Sequence, residues 1–234
     1  MGKLDKGELV GSGEIAVLSD RPAALLWDGN RLPGPWVTLQ AIATASERAR
    51  AAGAASVVIR RSGHIACLAA YLEAPARDGL MVEIYSSDPS VASVAPFGGK
   101  RAVFTPNPLA IGIPTSGDPV MIDISTSITT NGMSERLQAA GNRFPGKWLL
   151  DNEGAPTDDP AVFSDGPKGT IQLLGGVDAG HKGYGLTLMV EAMTGGLAGY
   201  GRADGEDRWG ATVMVRITDT TAFGGRAAFD RQLD

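Results

Sequence analysis

The 234 residues suffice for one large domain or two small ones, and 43% apolar with 20% charged residues is ordinary for a globular protein. A formal net charge of −5 gives no basic footprint for nucleic acid or an anionic membrane. The single Cys67 excludes an intrachain disulfide and fits a reducing, cytoplasmic setting. Residues 1–20 carry Lys3, Asp5, Lys6 and Glu8 instead of a secretory apolar core. The most apolar window, Tyr184–Tyr200, holds Glu191 and four glycines and is short for a membrane span.

In chain order, Glu14–Leu18 and Ala23–Trp27 read as strands, with Asp28-Gly29-Asn30 as the turn after the second. Gly11–Ala16 formally matches a dinucleotide fingerprint. Only ten polar-rich residues precede it, and Ile15–Leu18 favours a strand over a helix, so the match is rejected. Thr38–Ala52 is predicted as a helix capped by Thr38 and stopped by Gly53, followed by the buried strand Ser56–Ile59. Ser62 is placed to cap a second helix from His64 to about Ala74, with Ile65, Leu68, Ala69 and Leu72 on one face. A His at such a terminus suits a neutral ring that positions a ligand, or one that only caps the helix. Leu80–Tyr85 is the next strand, and this alternation of helix and strand is α/β supersecondary structure.

Ser86–Gly99 reads as a long loop. Thr105-Pro106-Asn107-Pro108 reads as a rigid turn that displays the Thr105 and Asn107 side chains before the strand Leu109–Ile113. Strand Val120–Ile124 ends in Asp123-Ile124-Ser125-Thr126-Ser127, where Asp123 suits a ribose hydroxyl and the hydroxyl cluster suits either phosphate or a helix cap. A helix over Thr130–Ala139, a short strand at Trp148–Leu150 and a solvated loop at Asp158–Pro160 follow. Regular metal-ligand spacing is absent from that loop, and no metal is expected. Leu173–Leu186 is dense in glycine and precedes an apolar run, Leu186–Met193. It suggests a sharp turn into a buried helix, with His181 and Lys182 at the mouth of an anion site or, equally, a glycine turn with a solvated lysine. Gly199–Trp209 reads as a loop, Ala211–Ile217 as a last strand and Ala227–Leu233 as the start of a helix.

Asp178–Leu186 resembles the G-G-H-K-G-Y-G-L signature of the type-2 malate/L-lactate dehydrogenase family, which also includes sulfolactate and ureidoglycolate dehydrogenases, diketogulonate reductase and piperideine-2-carboxylate reductase. Arg61–Ile65 resembles its S-x-H-F-G segment, Phe104–Pro108 its G-T-N-P, and Asp123–Ser127 its D-M-A-T-S. Trp148–Pro160 resembles its W-x-x-D-x-x-G-x-x-T-x-D-P, so the blocks run in family order from about Thr38 to Phe229.

The resemblance implies an α/β (α+β by some schemes) mixed sheet with flanking helices and a non-Rossmann nicotinamide site. It implies a cytoplasmic homodimer that interconverts a 2-hydroxy acid and a 2-keto acid with NAD or NADP. It places His64, Ile65, Ala66, Cys67, Leu68, Asp123, Ile124, Ser125, Asn131, Gly132, His181 and Lys182 against the cofactor and Thr105 against substrate. The implied organisation is a substrate-side segment over 1–37, a cofactor-binding domain over 38–218 and the start of a C-terminal segment over 219–234. The family's proton-donor His stands in an S-H-G segment; no Ser-His pair occurs in this sequence, and Met133 stands where some members place an aspartate. The expectation is therefore the central part of the family without its ends, as an enzyme completed elsewhere or as a nucleotide-binding remnant; an oligomeric structural protein is the third reading. Arg60 and Arg61 are the arginines available near the expected cofactor helix.

Overall fold

Hydrophobic alternation and glycine stops generate the elements of the computed structural model, which describes residues 9–163, 167–204 and 208–233. The charged start through Glu8 and residues 205–207 of the expected 199–209 loop lie outside the described residues. Chain order is β1 (Ala16–Arg21), β2 (Ala24–Asp28), α1 (Gly34–Ala52), β3 (Ala54–Ser62), a 3₁₀ turn at Leu68–Tyr71 leading to α2 (Glu73–Arg77), β4 (Leu80–Ser87), β5 (Pro108–Ile113) and β6 (Val120–Ser125). Then come α3 (Asn131–Ala139), β7 (Leu149–Leu150), β8 (Pro156–Thr157), β9 (Thr170–Ile171), α4 (Gly176–Glu191), β10 (Ala211–Asp219) and α5 (Arg226–Leu233). Two compact units form. The first joins 1–90, 108–124 and 192–234, and the second joins 91–107 and 125–191.

The first unit carries a seven-stranded sheet in the order β1-β2-β3-β10-β4-β5-β6, as expected for a mixed α/β fold. The β2–β3 pair is parallel, whereas β10 runs antiparallel to both β3 and β4. Late in sequence, β10 is thus central in space and buried on both faces, as a continuous apolar strand requires. Val213, Val215 and Ile217 join Val37, Ala41 and Ala45 of α1 in the main core, and Met214 packs with Val58, Ala198 and Tyr200 in a second cluster. Helix α1 begins at Gly34, earlier than the expected Thr38, because a proline sits in its first turn, where a missing N–H costs nothing. Thr38 is buried inside the helix instead of capping it. Gly53 ends α1 as expected, at φ +84.

The second unit packs Val94, Phe104, Phe144, Leu149, Ile171 and Leu173 into its own core, with Tyr184 of α4 against it. Its three-stranded sheet has β7 between β8 and β9, both antiparallel. Among the described residues no helix is long and apolar enough to cross a membrane.

Candidate functional site

In the first unit the expected helix from His64 is absent. Ser62 ends β3, its hydroxyl donating to the Gly63 carbonyl, and residues 64–67 are non-helical before the 3₁₀ turn. Two contacts override the helical spacing. Ala66 takes φ +60, and Asp123 Oδ2 accepts the Ala69 N–H at 2.8 Å and the Cys67 thiol at 3.5 Å. Ile65 and Leu68 are buried and anchor the segment, while His64, Ala66 and Cys67 stay exposed. Nδ1 of His64 accepts from the Ala66 N–H at 3.0 Å, so a neutral ring carries its proton on Nε2. Trp209 lies against that ring at 5.8 Å between centroids. Asp123 and Ile124 are exposed on β6, and Oδ1 of Asp123 has no protein partner among the described residues.

Arg60 and Arg61 are both engaged by one acidic side chain. Both donate to the buried carboxylate of Asp28, Arg60 at 2.9 Å and Arg61 through two nitrogens. Burial alone would raise the Asp28 carboxyl; hydrogen bonds from Arg61, the Asn30 N–H and Arg60 outweigh it and hold the group below its ordinary 3.8.

In the second unit, Thr105 and Asn107 are buried and not displayed. The proline geometry turns both inward, where Thr105 Oγ1 donates to Asn107 Oδ1 at 2.6 Å and Asn107 Nδ2 donates to Glu191 at 2.8 Å. The Glu191 contact was not foreseen, since 84 residues separate the pair. The hydroxyl cluster is spent on backbone carbonyls and caps no helix: Ser125 donates to Ser127 O, Thr126 to Pro106 O and Ser127 to Thr129 O. Asn131 and Gly132 open α3, which Thr130 caps by accepting from the Met133 N–H at 3.2 Å. Asp158 and Asp159, read as a solvated loop, both pair with Arg143 at 2.8 Å. No metal-holding group of His, Cys, Asp or Glu occurs among the described residues.

The glycine-rich stretch is mostly helix. The bend lies at Gly175 (φ +101) and Gly176 (φ +60), which places His181 and Lys182 in the second turn of α4, not at its mouth. Gly180 and Gly183 serve packing: a Cβ on Gly183 would stand 2.6 Å from the Leu174 N and O, and one on Gly180 2.9 Å from Phe97. His181 and Lys182 are exposed, and the expectation of a buried helix is corrected by Leu188 and Met189, also exposed. The ring of His181 meets Phe97 edge-on at 5.7 Å. Phe97 belongs to a stretch that sequence reading treated only as loop. With Lys100, Gly154, Leu173, Gly176 and Val177 it lines a cleft of about 360 Å³ beside the start of α4.

The first strand follows Gly11–Ile15 directly, so those glycines open no helix and the rejected dinucleotide fingerprint has no helix behind it. The malate/L-lactate dehydrogenase family model matches residues 1–234, and the chain belongs to that family. It is 34% identical over 197 residues to the L-sulfolactate dehydrogenase of Methanothermobacter thermautotrophicus, covering 84% of this chain and 55% of that protein. It is 40% identical over 164 residues to the (2R)-3-sulfolactate dehydrogenase (NADP(+)) of Chromohalobacter salexigens, covering 68% and 46%. Among solved structures, a dehydrogenase from Sinorhizobium meliloti superposes with a TM-score of 0.86 at 33% identity, over 99% of this chain and 68% of that one. The chain spans about half the length of the curated relatives it matches.

Proposed function

We propose that this chain binds NAD or NADP and contributes to interconversion of a 2-hydroxy acid and a 2-keto acid. The observation that carries the reading is the family match along the whole chain together with the His181-Lys182 pair on α4. The residues present suit a dinucleotide. Lys182 is exposed and without a protein partner among the described residues, and Asp123 keeps Oδ1 available to a ribose hydroxyl. The reading assigns cofactor contacts to His64, Ile65, Ala66, Cys67 and Leu68, to Asp123, Ile124 and Ser125, to Asn131 and Gly132, and to His181 and Lys182, all within the 38–218 cofactor domain. It assigns Thr105 to the substrate side. When bound, the nicotinamide supplies the hydride acceptor or donor. The buried Ile65 and Leu68 fix the segment that carries His64, and Lys182 offers charge to a phosphate. No residue here is assigned as the proton donor to substrate. A cytoplasmic homodimer without nucleic-acid or membrane partners is part of the proposal; the exposed apolar β6, with Val120, Met121, Ile122 and Ile124, supports association of copies.

Lys182→Ala is expected to weaken NADH or NADPH binding by ~1–3 kcal/mol, read as Kd by fluorescence titration. An unchanged Kd contradicts the role. Turnover of pyruvate or oxaloacetate with either cofactor favours the enzyme reading; binding without turnover favours the remnant.

A further inference from the structure

The cleft beside the start of α4 is lined wholly by the second unit, and no residue assigned above to the dinucleotide lines it. Gln172 on its wall is 5% exposed. Its Nε2 donates to the Lys147 carbonyl at 2.8 Å and to the Leu149 carbonyl at 2.9 Å. Two carbonyl acceptors fix which way the amide faces and use both of its N–H groups. Oε1 is left over. It lies 3.6 Å from where a Cβ on Gly176, another cleft residue, would stand, and it has no hydrogen-bond partner among the described residues. Unlike the hydroxyls of Ser93 and Thr170, this oxygen is not sealed from solvent, so a donor can reach it.

Donors stand beside that acceptor. The Gly176 N–H donates to the Leu173 carbonyl at 2.9 Å and the Ala179 N–H to that of Gly175 at 3.0 Å. Between them, the N–H groups of Val177 and Asp178 in the first turn of α4 have no partner among the described residues. Asp178 in that turn works against an anion, and Lys100 is paired with Glu153 at 3.4 Å, so the cleft suits a neutral ligand. Its apolar parts suit a flat one: Ile171 and Leu173 are buried beneath it, and Phe97 and Val177 are exposed along it.

We propose that this cleft binds an adenine ring, with Gln172 Oε1 accepting from the exocyclic amino group, the Val177 N–H donating to a ring nitrogen, and Phe97 against the face of the base. Adenine carries that amino donor next to a ring-nitrogen acceptor, whereas guanine offers two acceptors on the same edge. A cleft of about 360 Å³ admits the bicyclic ring. The adenine is that of NAD(P) or of a separate adenine nucleotide, and competition tells these apart.

The test is titration of the folded chain with AMP, GMP, nicotinamide mononucleotide and inorganic phosphate, followed by NMR at the amides of residues 97, 154 and 177 and at the Gln172 side-chain NH₂. Saturable shifts are expected with AMP alone. Val177→Pro deletes a backbone donor that nothing else uses, at a helix position that tolerates proline, and is expected to weaken AMP about tenfold with an unchanged melting temperature. Phe97→Leu keeps the apolar contact, removes the stacking face and is expected to weaken AMP about fivefold or more. Displacement of AMP by NADH names the dinucleotide as the source, and AMP shifts that persist under saturating NADH name a separate nucleotide; either supports the site. No shift with AMP, equal shifts with GMP, nicotinamide mononucleotide or phosphate, or AMP affinity unchanged in both variants overturns the proposal. Lys182 does not line this cleft, so an NADH affinity unchanged in Lys182→Ala would count against the cofactor reading and leave the AMP result standing.

Discussion

Gly183→Ala is expected to destabilise the protein by about 2–3 kcal/mol, a fall of roughly 5–10 °C in Tm. The argument is steric. The added Cβ would lie 2.6 Å from the backbone N and O of Leu174 and 2.9 Å from Thr126 O, and none of these is the far end of a flexible side chain. Those same atoms are bonded: Gly183 N–H donates to Leu174 O at 3.2 Å, and Leu174 N–H to Thr126 O at 2.8 Å. Thr187 Oγ1 lies 2.8 Å from Thr126 Oγ1 and 3.0 Å from Gly183 O, so the crossing cannot open without breaking a connected set of bonds. Alanine's better helix propensity, up to ~1 kcal/mol, offsets only part of the clash. Gly185→Ala is the matched control. Nothing lies within 4 Å of its Cβ, and it is expected to leave stability unchanged or raise it. Equal thermal unfolding of both variants would contradict the packing role.

Asp28→Asn is expected to cost about 3 kcal/mol at neutral pH. The side chain is 2% exposed and faces Arg60 and Arg61, so removing the charge leaves two guanidinium groups without their shared carboxylate. The value sits at the low end for a broken buried pair because both arginines are about a third exposed and keep some water. The sign with pH follows from the depressed folded-state pKa. The carboxylate's contribution is complete above its ordinary value of 3.8 and is lost as pH falls from there through the folded value. Denaturant unfolding across this range should show the wild-type advantage over Asp28→Asn shrinking below pH 3.8. A constant difference between the two proteins through that range would contradict the account.

These two positions also mark what sequence reasoning could and could not reach. The strands around β3 and β4 and the end of α1 at Gly53 follow local patterns, and local patterns report them well. Placing β10 between β3 and β4 depends on pairing with strands far away in sequence, which no window of residues contains. Ile65, Leu68, Ala69 and Leu72 have helical spacing, yet one carboxylate from β6 and a left-handed Ala66 decide against a helix. Gly180 and Gly183 are ambiguous for the same reason. A loop that cradles phosphate and a helix crossed by another backbone both exclude Cβ, and only the neighbours tell them apart. For Thr105 and Asn107, prolines show that the chain turns but not toward which side. The motif order, by contrast, was legible because five separated blocks each carry chemistry-bearing residues, and the family match along residues 1–234 agrees.

Hydrogen–deuterium exchange with and without NADH or NADPH tests the cofactor assignment most directly. Protection on adding one of the two is predicted at residues 64–68, at 123–125 and around Lys182, with the rest of the first-unit sheet little changed. Exchange that is identical with and without both cofactors, or protection confined to other segments, would contradict it.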